Sequence, residues 1–550
     1  MFRLLSILLS TASMIGMAAG DNAKLMTLKE ASTKAGKKDD SADPLKPQAP
    51  SSRLVSEDSL VKGPKSQPEL AQRSNQTGAE GFLSNKADNI ETLTRKIFDK
   101  MPDLQQDSLT KAMADAYQTN PQIKEKISAL RALAERTVQA KSGWRPTING
   151  TLDTTVSKTK NSGDSVRQQS TTSSGSARSQ RNESSSAGIE VRQNLFAGGQ
   201  TLNQVREAES NYKAAKSTLT DAEQTVLLQV ATTYMSLMSK YAEVELLKRN
   251  ESNLQETLKV TNDKYEVGEE TRTSVAQASA QLADGIAKRL AAESELEQLK
   301  ATFERTTFRK PGKLSRPAMP KNLPRNLEDA IERARKNAPT LLKAMQDERG
   351  ARYAVDRATG ALLPSVDLVG SSTASKTDTK SQYARNINTI NPSKDRQVNN
   401  SLRVQVKIPL YEAGTIRSQR REASENAEQA RIRIEQVRRE IVEKAVATWN
   451  KFKAAEARIE EYKKQVEANL ISLDGTQQEL LVGSKILLDV LNAISRLVES
   501  QVNLVRAEQD YLAAAYELMY VTGQLTAKTM GLKVDLYEPD IHYREISNIL

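Results

Sequence analysis

Cysteine is absent from this 550-residue chain, and histidine occurs once, at His542. Thiol nucleophiles, disulfides, thiolate-held metals and histidine pairs are excluded together. Asp and Glu are plentiful but stand in no recognisable metal-binding or acid/base spacing, so the sequence offers no catalytic centre, metal site or cofactor site and reads as a non-enzyme. Aromatic residues make up 4% of the chain and hydrophobic residues 38%, poor material for a large compact core. Long polar helices or unstructured segments are expected instead. Long apolar runs are also lacking. The first, Leu4 through Met17, follows Arg3, precedes Ala18-Ala19-Gly20, and is shorter than the roughly 20 residues of a spanning helix. Residues 1–20 therefore read as a secretory signal peptide cleaved near Gly20 rather than as an anchor. Without cysteine the mature amino terminus cannot be lipidated through a thioether, so membrane insertion falls to strands.

The formal net charge is +11. A basic chain attracts polyanions, but secretion removes it from nucleic acid, and the basic residues between Arg417 and Arg439 alternate with Glu422, Glu425, Glu428 and Glu435. Interleaved aromatics that would stack on bases are missing. No nucleic-acid partner is expected.

Residues 21–105 are rich in Lys, Ser, Asp, Pro and Gln with no sustained period, the composition of a disordered polar extension. Beyond them the chain repeats itself. Leu109, Ala112, Ala116, Pro121 and Pro146 recur as Leu327, Ala330, Ala334, Pro339 and Pro364, displaced by 218 positions. Further on, Leu195-Phe196, Gly199, Arg206-Glu207-Ala208 and Val267-Gly268 recur as Leu410-Tyr411, Gly414, Arg421-Glu422-Ala423 and Val482-Gly483, displaced by 215. So constant a register indicates an internal duplication. The halves are 106–310 and 326–530, joined by a Pro-rich linker at 311–325 and followed by a tail at 531–550.

Each half opens with a helix, about 108–143 and 326–361, begun by the cap residues Ser108 and Asn326. Past Pro146 and Pro364 the pattern alternates: Ile148, Leu152 and Val156 oppose Asn149, Thr151, Asp153 and Thr155. The return strand of the second half alternates most clearly, with Leu402, Val404, Val406, Ile408 and Leu410 against Ser401, Arg403, Gln405 and Lys407. The β-hairpins span about 147–196 and 365–410, in strands of about ten residues, the length that crosses a bilayer when tilted. The polar segments 158–186 and 372–399 are expected to be extracellular loops. Helices of unusual length follow, about 200–262 and 415–478. Along the second, Ala423, Ala427, Ala430, Ile434, Val437 and Ile441 recur at intervals of three and four, a narrow coiled-coil seam. Each rod turns at Gly268 or Gly483 and returns, about 271–306 and 486–527.

Four amphipathic strands cannot close in lipid alone, because an open sheet leaves its edges unpaired. Two copies would just reach the roughly eight strands of the smallest barrels, and three would make twelve. A secreted coiled-coil structural or adhesive protein accounts for the rods but not for four strands placed symmetrically in the halves.

Over about residues 106–530 the chain resembles the TolC-like outer-membrane efflux and type I secretion channel family. The resemblance rests on the opening Leu109, Ala112, Ala116, Asn120-Pro121 with its copy, on Gln193-Asn194-Leu195-Phe196-Ala197-Gly198-Gly199, and on Val482-Gly483 through Asp489-Val490-Leu491. It implies a mainly α fold with membrane β: a homotrimer whose helical hairpins form an α-barrel tunnel beneath a 12-stranded transmembrane barrel in the Gram-negative outer membrane. Implied partners are a periplasmic adaptor (membrane fusion) protein and an inner-membrane ABC or RND-type transporter. Val267, Gly268, Val482 and Gly483 then mark adaptor docking turns, although a glycine that merely ends a helix explains the same residues. Asp489 matches an acidic position facing the constricted periplasmic end, where three copies would form a carboxylate ring. The alternative is an exposed helical Asp without special role. Asn492 stands where the family often has a second acid, and Ser274 is the equivalent of Asp489 in the first half. Tyr265, Arg272 and Lys485 flank the same turns, either as closing contacts between helices or as solvated side chains. Small molecules and unfolded protein remain equally admissible as cargo.

Overall fold

The computed structural model describes residues 106–160, 177–383 and 386–549; the segments expected as signal peptide (1–20) and polar extension (21–105) lie outside these. The elements run β1 (Gln106–Asp107), α1 (Leu109–Thr119), α2 (Pro121–Ser142), β2 (Thr147–Lys160), β3 (Ala177–Ala197), α3 (Gln200–Glu266) and α4 (Arg272–Thr307). The second set is β4 (Lys313–Leu314), α5 (Leu327–Asn337), α6 (Pro339–Gly360), β5 (Ser365–Tyr383), β6 (Asn386–Lys407), α7 (Thr415–Leu481) and α8 (Leu487–Val521), followed by α9 (Pro539–Ile549). α3 and α7 contain 67 residues each, rods of about 100 Å. Among the described residues no helix is long and apolar enough to cross a membrane.

The opening helix of each half is broken in two. Asn120 and Ala338 are extended (ψ 125° and 119°) because each precedes a proline, whose ring crowds a helical residue before it. Pro121 and Pro339 then start α2 and α6 at the position where a missing N–H is harmless. The last return helix also ends early, at Val521 rather than near 527. Gly523 takes φ +71°, its N–H donating to Tyr520 O and that of Gln524 to Met519 O, which closes the helix end.

The four long strands form one sheet in the order β2-β3-β5-β6, all antiparallel, with β2 and β6 at its edges. Opposed residues share a face. Ile148, Leu152, Val191, Val366, Leu402 and Val406 therefore lie on one side, while Asn149, Asp153, Glu190, Arg192, Asp367 and Gln405 lie on the other. On the polar side Asp367 accepts from Arg192 Nη2 (2.8 Å) and Asn194 Nδ2 (2.9 Å). The strands are 14 to 22 residues long, well beyond the apolar band. Much of the segments expected as loops is thus strand: 158–160, 177–186, 372–383 and 386–399. Hydroxyl contacts such as Ser184–Thr377 (3.4 Å) join neighbours there without an apolar face. Residues 161–176 lie outside the described chain.

Beneath the sheet, α3 packs against α1, α2, α4, α6 and α8, and α7 packs against α5, α6 and α8. Met113, Leu130, Leu227, Tyr234, Leu237 and Phe303 are fully buried in the main core. Each such side chain contributes about 1.5–3 kcal/mol of burial. Tyr234 Oη accepts from Ser315 N (2.9 Å), which pins the linker between the halves to α3. The chain after α8 is likewise held down. Ala527 N–H donates to Glu223 Oε1 (2.6 Å), Tyr212 Oη donates to Pro539 O (3.0 Å), and the Tyr212 and Tyr543 rings stack 4.8 Å apart. Burial raises the Glu223 carboxyl above its ordinary 4.5, opposed by the Ala527 N–H. Burial, with Asp540 nearby, pushes the Tyr212 hydroxyl up to about 12.

Candidate functional site

The two helical hairpin turns are built alike. At the end of α3, Gly268 N–H donates to Tyr265 O (3.0 Å) and Glu269 N–H to Lys264 O (2.9 Å). At the end of α7, Gly483 and Ser484 repeat the pattern onto Leu480 O (3.0 Å) and Glu479 O (2.9 Å). Both glycines are left-handed, φ +81° and +77°, as this capping geometry demands. A Cβ on either would meet nothing within 4 Å, so backbone conformation alone, and no packing within the chain, requires glycine here.

The turns expose apolar side chains. Val267 is 72% exposed, Val482 80%, Leu481 70% and Ile486 61%. Leu481 and Ile486 were not singled out from sequence, although two large apolar residues flanking a Val-Gly turn are a readable signal. Tyr265, Arg272 and Lys485 are exposed, and their side chains form no hydrogen bond or ion pair among the described residues.

Asp489 and Ser274 occupy the same place in the two hairpins, the third residue of the return helix. In α4, Thr271 Oγ1 accepts from Ser274 N–H (3.1 Å) and the two hydroxyls lie 3.1 Å apart. In α8 the residue before the helix is Ile486, which has no side-chain acceptor. Asp489 itself answers the exposed helix start: its Oδ2 accepts from Ile486 N–H (3.3 Å), and its charge faces the positive helix end. Asp489 is half-buried and Asn492, one turn on, is exposed, while Val490, Leu491, Ala493 and Ile494 are buried. Val490, Ala493 and Ile494 pack with Val466 and Leu473 of α7.

Above these positions the hairpins are tied together. Gln281 Nε2 of α4 donates to Ser495 Oγ of α8 (2.6 Å), seven residues beyond Ser274 and six beyond Asp489. The structure thus brings Ser274 and Asp489 to one level, each about 10 Å below that hydrogen bond. Higher still, Lys240 of α3 bridges Glu243 (2.9 Å) and Glu295 of α4 (2.6 Å), and Arg506 of α8 reaches Glu243 (2.9 Å). The Glu243 side chain is only 9% exposed, and the Lys240 hydrogen bond holds the Glu295 carboxyl below its ordinary value. This three-helix network joins residues far apart in sequence, and helical spacing gave no sign of it. Among the described residues no acidic or histidine cluster suits a metal ion.

Comparison with known proteins bears on this geometry. The family model described as "Outer membrane efflux protein" matches residues 112–305 and 330–524. Outer membrane efflux protein BepC of Brucella suis is 31% identical over 442 residues, covering 80% of this chain and 91% of its own. Outer membrane protein TolC of Vibrio cholerae is 25% identical, over 64% of this chain and 80% of its own. Among solved structures, the CmeC outer membrane channel of Campylobacter jejuni superposes with a TM-score of 0.61 at 17% identity, over 84% of this chain and 92% of that one. With residues 112–305 and 330–524, most of its helical and strand framework, matched by one family model, the chain belongs to the outer membrane efflux protein family.

Proposed function

We propose that the chain is the passive exit duct of a tripartite efflux or type I secretion system, seated in the outer membrane of a Gram-negative bacterium. The observation that carries this reading is the four-stranded sheet with one apolar face, one polar face and two unpaired edges, continued by two 67-residue rods. Three copies close such a sheet into a 12-stranded barrel with a wet interior, and the rods extend it as an α-barrel tunnel. The two halves, 106–310 and 326–530, act as duplicated units joined by the linker at 311–325.

The exposed Val267, Gly268, Val482 and Gly483 turns serve as docking points for the hairpin tips of a periplasmic adaptor, and an inner-membrane ABC or RND-type transporter supplies the energy. Asp489, repeated around the trimer, lines the periplasmic aperture with Asn492, and Ser274 takes the corresponding place in the alternate hairpins. The rival reading, a secreted coiled-coil adhesive, leaves the amphipathic sheet without a role.

Deleting the gene and measuring both drug susceptibility and the secreted protein profile tests the proposal and separates the cargo classes. Loss of either export function supports it. An unchanged strain, with the protein recovered as a soluble periplasmic monomer, overturns it.

A further inference from the structure

Resting on the oligomeric reading above, we propose that β6 and α7 of one copy meet β2 and α2 of the next in one strand register, with Arg421 paired to Glu135 across the joint. The chain contains a joint of the same construction within itself, where β3 and α3 meet β5 and α6. The displacements of 218 and 215 that relate the halves in sequence also relate their geometry. Ile148 lies opposite Val191 in the first hairpin, and Val366, 218 positions on, lies opposite Val406, 215 positions on. The glycines before α3 and α7, Gly199 and Gly414, both have φ +80°, and the residues before them, Gly198 and Ala413, are left-handed as well. The internal joint is therefore a template for the edges that β2 and β6 leave open.

Applied to the strands, the template converts Ala187–Ala374, Val191–Gly370 and Phe196–Val366 into Leu402–Val156, Val406–Leu152 and Tyr411–Ile148. All six of these edge residues are more than half exposed in the single chain, and the register pairs them apolar to apolar. Gln405 falls opposite Asp153, Lys407 opposite Thr151 and Arg403 opposite Thr155 on the polar face. A slip of one residue would set each apolar residue of β6 against a polar one of β2.

Applied to the helices, the template exchanges the contacts. Within the chain Arg206 lies over the Tyr353 ring (5.8 Å), and Arg357 Nε donates to Glu207 Oε2 (2.9 Å). Their equivalents are Arg421 with Glu135, an ion pair, and Glu422 with Gln139, an amide-to-carboxylate hydrogen bond. All four are exposed, and their side chains have no partner among the described residues. Gly198 and Gly360 touch so closely that a Cβ on the first would lie 2.2 Å from Gly360 O. Their equivalents, Ala413 and Ser142, both carry a Cβ, so the joint between copies is wider at this level than the joint within one.

The absence of cysteine makes the register directly testable in the full chain. Gln405→Cys with Asp153→Cys is compared with Gln405→Cys combined with Thr151→Cys or Thr155→Cys, after oxidation in outer-membrane preparations. Directly opposed Cβ atoms lie about 5 Å apart, and a two-residue offset takes them to roughly 7 Å, beyond disulfide reach. Covalent oligomers are expected from the first pair alone. Arg421→Glu is expected to lower the temperature at which oligomers dissociate, and Glu135→Arg in the same chain to restore it. If cysteine-free oligomers persist while an offset pair, or no pair, cross-links, the register is wrong and the duct reading stands. Failure to restore oligomer stability in the double charge variant removes the ion pair. A monomeric cysteine-free protein overturns the duct reading itself.

Discussion

Replacing both turn glycines by asparagine separates their conformational role from a docking role. Gly268 and Gly483 hold φ of +81° and +77°, where an ordinary L-residue costs about 1–2 kcal/mol and asparagine is among the best tolerated. No atom lies within 4 Å of the Cβ that would be added, so no steric penalty joins the conformational one. Gly268→Asn with Gly483→Asn should therefore leave the helical hairpins and the oligomer intact, with a loss below about 2 kcal/mol per site. An adaptor whose backbone approaches these turns closely would still meet two new side chains beside Val267 and Val482. Two assays run on the same strain: the temperature at which oligomers dissociate in detergent gels, and drug susceptibility after complementing a deletion. The expected outcome is near-normal oligomer stability with export strongly reduced. Full export by the double variant would refute the docking role and leave the glycines as helix ends only.

Gly523→Ala should be far more damaging than either turn substitution. Besides φ +71°, its Cβ would lie 2.4 Å from Asn337 O, so the end of α8 or the end of α5 must move, and the yield of folded oligomer should fall sharply. Glu243→Ala removes the carboxylate shared by Lys240 and Arg506; because Lys240 keeps Glu295, the loss should be about 1–3 kcal/mol, read as a lower dissociation temperature. Asp489→Asn keeps an acceptor for Ile486 N–H but removes the charge, so the fold should persist while cation preference in planar bilayers declines; unchanged selectivity would discard the carboxylate ring. Glu223 supplies a pH test. Its carboxyl is raised in the folded protein, so the charged form is destabilising above that value, and stability recovers as pH falls towards the ordinary 4.5. Glu223→Gln, which still accepts from Ala527 N–H, should match or exceed the parent at neutral pH and lose that advantage in acid, as followed by thermal denaturation.

The long-range order of the fold was legible because it rests on patterns that repeat. Alternation placed the start of β2 at Thr147, and the periodic stripe with its terminal glycine placed the ends of α3 and α7 within four residues. Four features were not legible in the same way. Pro121 and Pro339 sit inside stretches whose apolar spacing continues across them, so the break at Asn120 and Ala338 shows only when the steric demand of proline is given priority over periodicity. The Ser/Thr-rich parts of β3, β5 and β6 are polar on both faces, and a strand without an apolar face carries no period of two. The position of Asp489 six residues past Gly483 was readable, whereas its bond to Ile486 N–H depends on the absence of a side-chain cap at that residue. The Lys240, Glu243, Glu295 and Arg506 network arises only when three helices meet.

Several copies of this sheet are proposed to enclose a water-filled passage. Single-channel recording on the detergent-extracted outer-membrane oligomer tests it most directly. Discrete ion-conducting steps, inserted one oligomer at a time and favouring cations, are expected. A pure, intact oligomer that never conducts would contradict it.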